Sequence, residues 1–102
     1  MKLYETKKLY ETITAENWFK GPPNHPDRGD RRCLRMHFSY TFATLGFTRM
    51  VRAEYALHEA IRLLYPERGL CPDDRRIYMH LFNDHSDTTL EDILRVCKVA
   101  DV

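Results

Sequence analysis

CLRMHFSYTFATLGF, residues 33–47, is the most apolar run of the chain, and its conformation decides the fold. Leu34, Met36, Phe38, Tyr40 and Phe42 alternate with Arg35, His37, Ser39 and Thr41, which is the period of a half-buried strand. The same residues place Leu34, Phe38, Thr41 or Phe42, and Leu45 on one helical stripe, with Gly46 positioned as a C′ terminator. A strand must pair its backbone N–H and C=O groups with a neighbour, and no second strand pattern is evident. The run is therefore read as a central, mostly buried helix in an all-α protein. An extended 33–47 would instead make the fold α+β.

Outward from this run, the remaining segments read as helices joined mostly by short turns. LYET occurs at 3–6 and again at 9–12. Six residues turn a helix through roughly 600°, so the two copies face different ways and are read as coincidence. Thr6 is placed to cap a first helix whose stripe runs through Leu9 and Ile13 toward Trp18, ending near Asn17. The Pro- and Gly-rich stretch at 20–31 excludes regular structure there, and its length marks it as functional or disordered. After Gly46, Thr48 is placed to cap a helix with Met50, Ala53, Leu57, Ala60, Ile61 and Leu64 on one face, stopped by Pro66 and Gly69. Pro72 with Asp73 and Asp74 has the pattern of another helix start, with Ile77, Tyr78, Leu81 and Phe82 as its apolar face. Residues 83–87 (NDHSD) read as a polar turn. Thr88-Thr89-Leu90-Glu91 reads as a capping box opening a last helix with Leu90, Ile93, Leu94 and Cys97 inward. The expected architecture is one domain over 1–102, an orthogonal bundle of about five helices around the central one.

Composition bounds the function classes. The 102 residues carry a net charge of +1 and are 43% hydrophobic, which argues against global disorder and against a polycation. Charge is uneven nonetheless. Arg28 to Arg52 holds six arginines against Asp30, whereas Asp84 onward holds five acids against Arg95 and Lys98. Three cysteines, an odd number, and an N-terminus without an apolar signal core indicate reduced thiols in a cytoplasm. No run approaches the length of a membrane span, so no membrane partner is expected.

Three patches carry a resemblance. They are Glu16-Asn17-Trp18-Phe19-Lys20-Gly21; Cys33-Leu34-Arg35-Met36; and Phe82-Asn83-Asp84 followed by Thr88-Thr89-Leu90-Glu91-Asp92-Ile93-Leu94. Together they resemble a family of short helical proteins found mainly in actinobacteria and their phages. Its members have an aromatic-and-glycine turn, a Cys-Ala-x-Gly-Ala helix start, and an Asn-Asp turn before a Thr-x-x-Glu-Val-Leu helix. Leu34, Arg35 and Met36 depart from the small residues of the second motif, which argues against close helix packing at that point. The resemblance implies a helical fold and transfers no activity.

Candidate functional residues are few. Asn83 and Asp84 form a polar pair, with His80 one turn before Asp84 as an acid–base partner; the plainer reading has them building a turn through nearby backbone. Cys33 and His37 share a helix face at metal-chelating spacing, with Cys71, Cys97, His80 and His85 as further donors. Paired Cys-x-x-Cys or His-x-x-x-His motifs are missing, so no metal or cofactor is expected. Arg28, Arg31, Arg32, Arg35, Arg49 and Arg52 could present an anion-binding surface, or be solvated arginines paired with Asp30 and Glu54. Tyr4, Tyr10, Tyr55 and Tyr65 with these arginines have the composition of a protein-binding face. There is no nucleophile elbow and no Gly-rich phosphate loop.

These features favour a non-enzymatic cytoplasmic protein that binds another protein through Arg28, Arg31, Arg32, Arg35, Arg49, Arg52 and Tyr55. Its size and the resemblance fit a phage or mobile-element inhibitor of a host factor, and a homodimer is compatible with the apolar central run. The alternatives are a nucleic-acid-binding domain using the Arg28–Arg52 region and a small enzyme built on His80 and Asp84.

Overall fold

Residues 34–42 coil, and the protein is an all-α bundle. A computed structural model describes residues 8–102. It contains six helices: α1 Leu9–Thr12, α2 Leu34–Phe42, α3 Phe47–Leu64, α4 Pro66–Gly69, α5 Met79–Asp84 and α6 Leu90–Ala100. Among the described residues there is no strand, only the isolated bridges Trp18–Arg32 and Leu70–Ile77. Among the described residues no helix is long and apolar enough to cross a membrane.

The principal packing is α3 against α6. Ala53, Leu57, Ala60 and Ile61 line the inner face of α3, and Ile93, Val96 and Cys97 that of α6. Leu57, Ile61, Ile93 and Val96 are all fully inaccessible. The alanines keep the α3 face shallow, which lets the neighbouring axis approach. On α2, Leu34, His37 and Phe38 face the core, while Arg35, Ser39 and Tyr40 face outward. Burial of α2 is therefore one-sided.

Several boundaries differ from expectation, each for a local reason. The first helix stops at Thr12 rather than near Asn17. The Asn17 side chain accepts from Thr14 N at 2.8 Å and donates to Thr12 O at 2.8 Å, replacing the bonds a further helical turn would use. Trp18 is then held in a bridge, with Arg32 N donating to Asn17 O at 2.8 Å and Phe19 N to Arg32 O at 3.0 Å. The Thr6 cap and the first LYET copy lie outside the described residues. Gly46 does not terminate α2, which ends at Phe42. It is the N-cap of α3 at φ +91°, a conformation glycine adopts without strain, and Thr48 caps nothing. Pro66 stops α3 but also opens α4.

Pro72 does not start a helix. Asp74 Oδ1 accepts from Arg76 N at 2.9 Å, Arg75 N donates to Cys71 O at 2.8 Å, and Arg75 takes φ +61°. This local bonding closes a turn and delays α5 to Met79. Ile77 is buried from the Leu70 bridge rather than from a helix face. The capping box of α6 lies one residue later than expected. Thr89 N donates to Asp92 Oδ2 at 3.1 Å, and Asp92 N to Thr89 Oγ1 at 3.3 Å. Asp92 is favoured over Glu91 because it is also bound by Tyr65 Oη at 2.9 Å and Arg68 Nη1 at 2.8 Å, tying α6 to the end of α3 and to α4. Thr88, displaced from the cap, is buried with its hydroxyl unpartnered.

Gly69 is a tight point of this packing. A Cβ there would lie 2.6 Å from Ile61 Cγ2 and 3.4 Å from Ile77 Cγ2. Gly69→Ala is expected to destabilise the protein by about 1–3 kcal/mol, read as a lower urea midpoint at unchanged slope.

Candidate functional site

Asn83, fully buried near the end of α5, uses its whole amide. Oδ1 accepts from Trp18 Nε1 at 2.7 Å and from Leu34 N at 3.0 Å. Nδ2 donates to Phe19 O at 3.1 Å and to Asp84 Oδ1 at 2.8 Å. Both lone pairs and both protons are thereby satisfied. Leu34 is the first residue of α2, and Cys33 offers it no side-chain cap. The orphan N–H at that helix start is met instead from α5. Asp84 Oδ1 also accepts from Gly21 N at 2.9 Å, and Lys20 Nζ donates to His85 O at 2.9 Å. Asn83 and Asp84 are thus not part of the expected 83–87 turn. They are the last residues of a helix, and together they clasp the 18–21 segment and α2.

The clasp forms one wall of a cavity of about 500 Å³. Gly21, Pro22 and Pro23 line one side, the outward face of α2 (Arg35, Met36, Ser39, Tyr40) another, and Tyr78, His80 and Asp84 a third, with Cys33 also contributing. Tyr40 is 63% exposed on the rim, and Arg32 lies over its ring at 3.8 Å from guanidinium carbon to centroid. That distance is within cation–π range. His80 packs against Tyr78 at 5.4 Å between centroids. The candidate His80–Asp84 acid–base pair makes no hydrogen bond, and Asp84 Oδ1 accepts instead from Gly21 and Asn83.

The six arginines do not form one patch. Arg28 donates to Pro23 O at 2.7 Å and Arg31 O at 2.6 Å, and Arg31 donates to the carbonyls of Arg28 and Asp27. These two staple the 20–31 loop internally, which orders it. Arg35 lines the cavity, and Arg32 lies over the ring of its rim residue Tyr40. Arg49 and Arg52 line a different cavity with Lys8 and Asp101. Tyr55, 66% exposed, stands on the outer side of α3 near His58, Arg62 and Tyr78. The expected ion pairs to Asp30 and Glu54 are absent. Among the described residues the pairs are Lys8–Asp101, His25–Asp27, Arg62–Glu59 and Arg68–Asp92.

The metal-spaced pair is also otherwise engaged: His37 Nε2 bonds Asn17 O at 3.0 Å. The carbonyl can only accept, so Nε2 carries the proton. Among the described residues no group of three His, Cys, Asp or Glu side chains could hold a metal. Burial pushes the Cys97 thiol up to about 12, so it is inert at neutral pH. The cavity-lining Pro22, Pro23, Met36, Tyr40 and Tyr78 were missed in the sequence reading. Met36 and Tyr40, one turn apart and opposite Leu34 and Phe38, were the available signal: apolar groups on the outer face of an amphipathic helix. No family model, curated protein or solved structure matches the chain.

Asn83→Ala would leave Trp18 Nε1, Leu34 N and Phe19 O unpaired, each costing about 1–3 kcal/mol where buried. It is expected to be far more destabilising in urea than Asp84→Ala, whose acceptor lies at the surface. Burial also lowers the His37 pKa below 6.5, with the Asn17 carbonyl opposing and Arg32 adding to the effect. The unfolded chain therefore takes up the proton first as pH falls. The stabilisation from the neutral ring is complete above about pH 6.5 and is lost on acidification toward the folded pKa. Urea midpoints should fall over this window in the wild type and fall less steeply in His37→Gln.

Proposed function

We propose that the protein is a small non-enzymatic binding module that docks on another protein through the cavity between the 21–23 loop, α2 and α5. The observation that carries this reading is a mostly apolar, aromatic-lined cavity with Arg35 in its wall and Arg32 over the ring of its rim residue Tyr40, both arginines without carboxylate partners among the described residues. Its occupant is an acidic segment of the partner that inserts an apolar side chain. The Pro, Met and Tyr walls take the side chain, while Arg32 and Arg35 meet the carboxylates. Desolvated aromatics beside arginine are the usual energetic centre of such contacts.

A nucleic-acid role is less well supported. Phosphate binding scales with the cations that face one backbone. Here Arg28 and Arg31 are spent on loop carbonyls, and Arg49 and Arg52 line another cavity. An enzyme on His80 and Asp84 has both groups at the cavity but lacks the hydrogen bond that would orient the imidazole. Action on a host factor rests on the family resemblance and chain length alone.

The test uses immobilised wild-type protein and an Arg35→Glu variant of equal helicity, each exposed to nuclease-treated actinobacterial lysate. A protein retained by the wild type should be purified and titrated. Its affinity should fall at least about tenfold with Arg35→Glu and with Tyr40→Ala, the size expected for loss of one central contact. Equal affinity of the wild type and both variants, or a protein retained from untreated lysate but not from nuclease-treated lysate, would overturn the reading.

A further inference from the structure

A second cavity, of about 260 Å³, is built between the start of α3 and the C-terminal residues. Phe42, Leu45, Ala53, Ala56, Ala100 and Val102 form an apolar lining, and Arg49 and Arg52 stand at its edge. The two arginines are three residues apart on one helix, so they lie on the same face one turn from each other. Neither is ion-paired among the described residues. Of the other charged side chains at the rim, Lys8 and Asp101 pair with each other: Lys8 Nζ lies 3.3 Å from Asp101 Oδ1 and donates to Asp101 O at 2.9 Å. The cavity thus presents two guanidinium groups, unpaired among the described residues, beside an apolar lining.

We propose that this cavity binds a medium-chain aliphatic carboxylate, with the head held by Arg49 and Arg52 and the chain lying against Phe42, Leu45 and the small residues Ala53, Ala56 and Ala100. Three features of the site select this ligand. Guanidinium forks match the planar carboxylate and pair with it through two parallel hydrogen bonds. The lining offers no hydrogen-bonding side chain besides the rim charges, so the body of the ligand is apolar. The volume accommodates one short chain and is below the usual range for drug-sized or nucleotide ligands. The site shares no lining residue with the cavity of the proposed docking surface, so the two are independent.

The experiment titrates decanoate, below its micelle concentration, into isotope-labelled full-length protein and follows backbone amide shifts. Shifts should centre on Ala53, Ala56, Ala100 and Val102. Acetate, which lacks the chain, and decanol, which lacks the charge, should each bind at least about tenfold more weakly. The double variant Arg49→Gln/Arg52→Gln, exposed at both positions and so expected to fold, should weaken decanoate by about tenfold or more without affecting decanol. Decanol binding as tightly as decanoate, undiminished binding by the double variant, or shifts centred elsewhere would each overturn the proposal. Ala56→Trp, which fills the cavity from one turn beyond Arg52 on the same face of α3, should abolish the shifts while circular dichroism stays unchanged; persistence of the shifts at a filled cavity would also overturn it.

Discussion

A single buried amide joins parts of this chain that have no neighbouring sequence in common. Asn83 receives the Trp18 indole and the first N–H of α2, and gives its own protons to Phe19 O and Asp84. The irregular 13–33 segment bonds to itself only through scattered turns and the Trp18–Arg32 bridge, so some of its groups require partners from elsewhere. Asn83 and Asp84 supply them. An apolar residue of similar size would fill the space but leave those groups unsatisfied in a medium where that is costly. The position of the 21–23 loop over α2, and so the existence of the larger cavity, follows from this clasp.

A second polar tie works by the same logic at the other end of the bundle. Asp92 closes the capping box of α6 and at once binds Tyr65 and Arg68. Burial pushes its carboxyl up, but bonds from Thr89, Tyr65 and Arg68 outweigh that and hold it below the ordinary aspartate value. The ionised form is the one the fold binds. Between the two ties lies the apolar contact of α3 with α6, which has no direction of its own. Hydrophobic burial makes the helices associate, and the polar ties set where the short elements sit against them.

The same division explains how the charges are arranged. The arginines between 28 and 52 are one basic stretch in the sequence and three separate environments in space. Arg28 and Arg31 are structural, closing the loop on its own carbonyls. Arg32 and Arg35 border an aromatic cavity, and Arg49 and Arg52 border an aliphatic one. Linear charge density is a poor guide here because a turn at 43–46 reverses nothing in composition yet separates α2 from α3.

The sequence by itself determined the all-α class and the inward faces of α3 and α6, because a run of periodic apolar residues needs only its own backbone to form a helix. Ala53, Leu57, Ala60 and Ile61, and Ile93 and Cys97, stand inward as their spacing requires. The tertiary structure alone decided the ends of the short helices, the role of Asn83 and the fate of each arginine. Those depend on which acceptor meets a given donor. Asn83 and Leu34 are 49 residues apart, and a local pattern carries no information about a bond that closes across that distance. Where Asn17, Asp74 and Asp92 redirected nearby backbone, the deciding group was a side chain with several partners within reach, and only the packed chain selects among them.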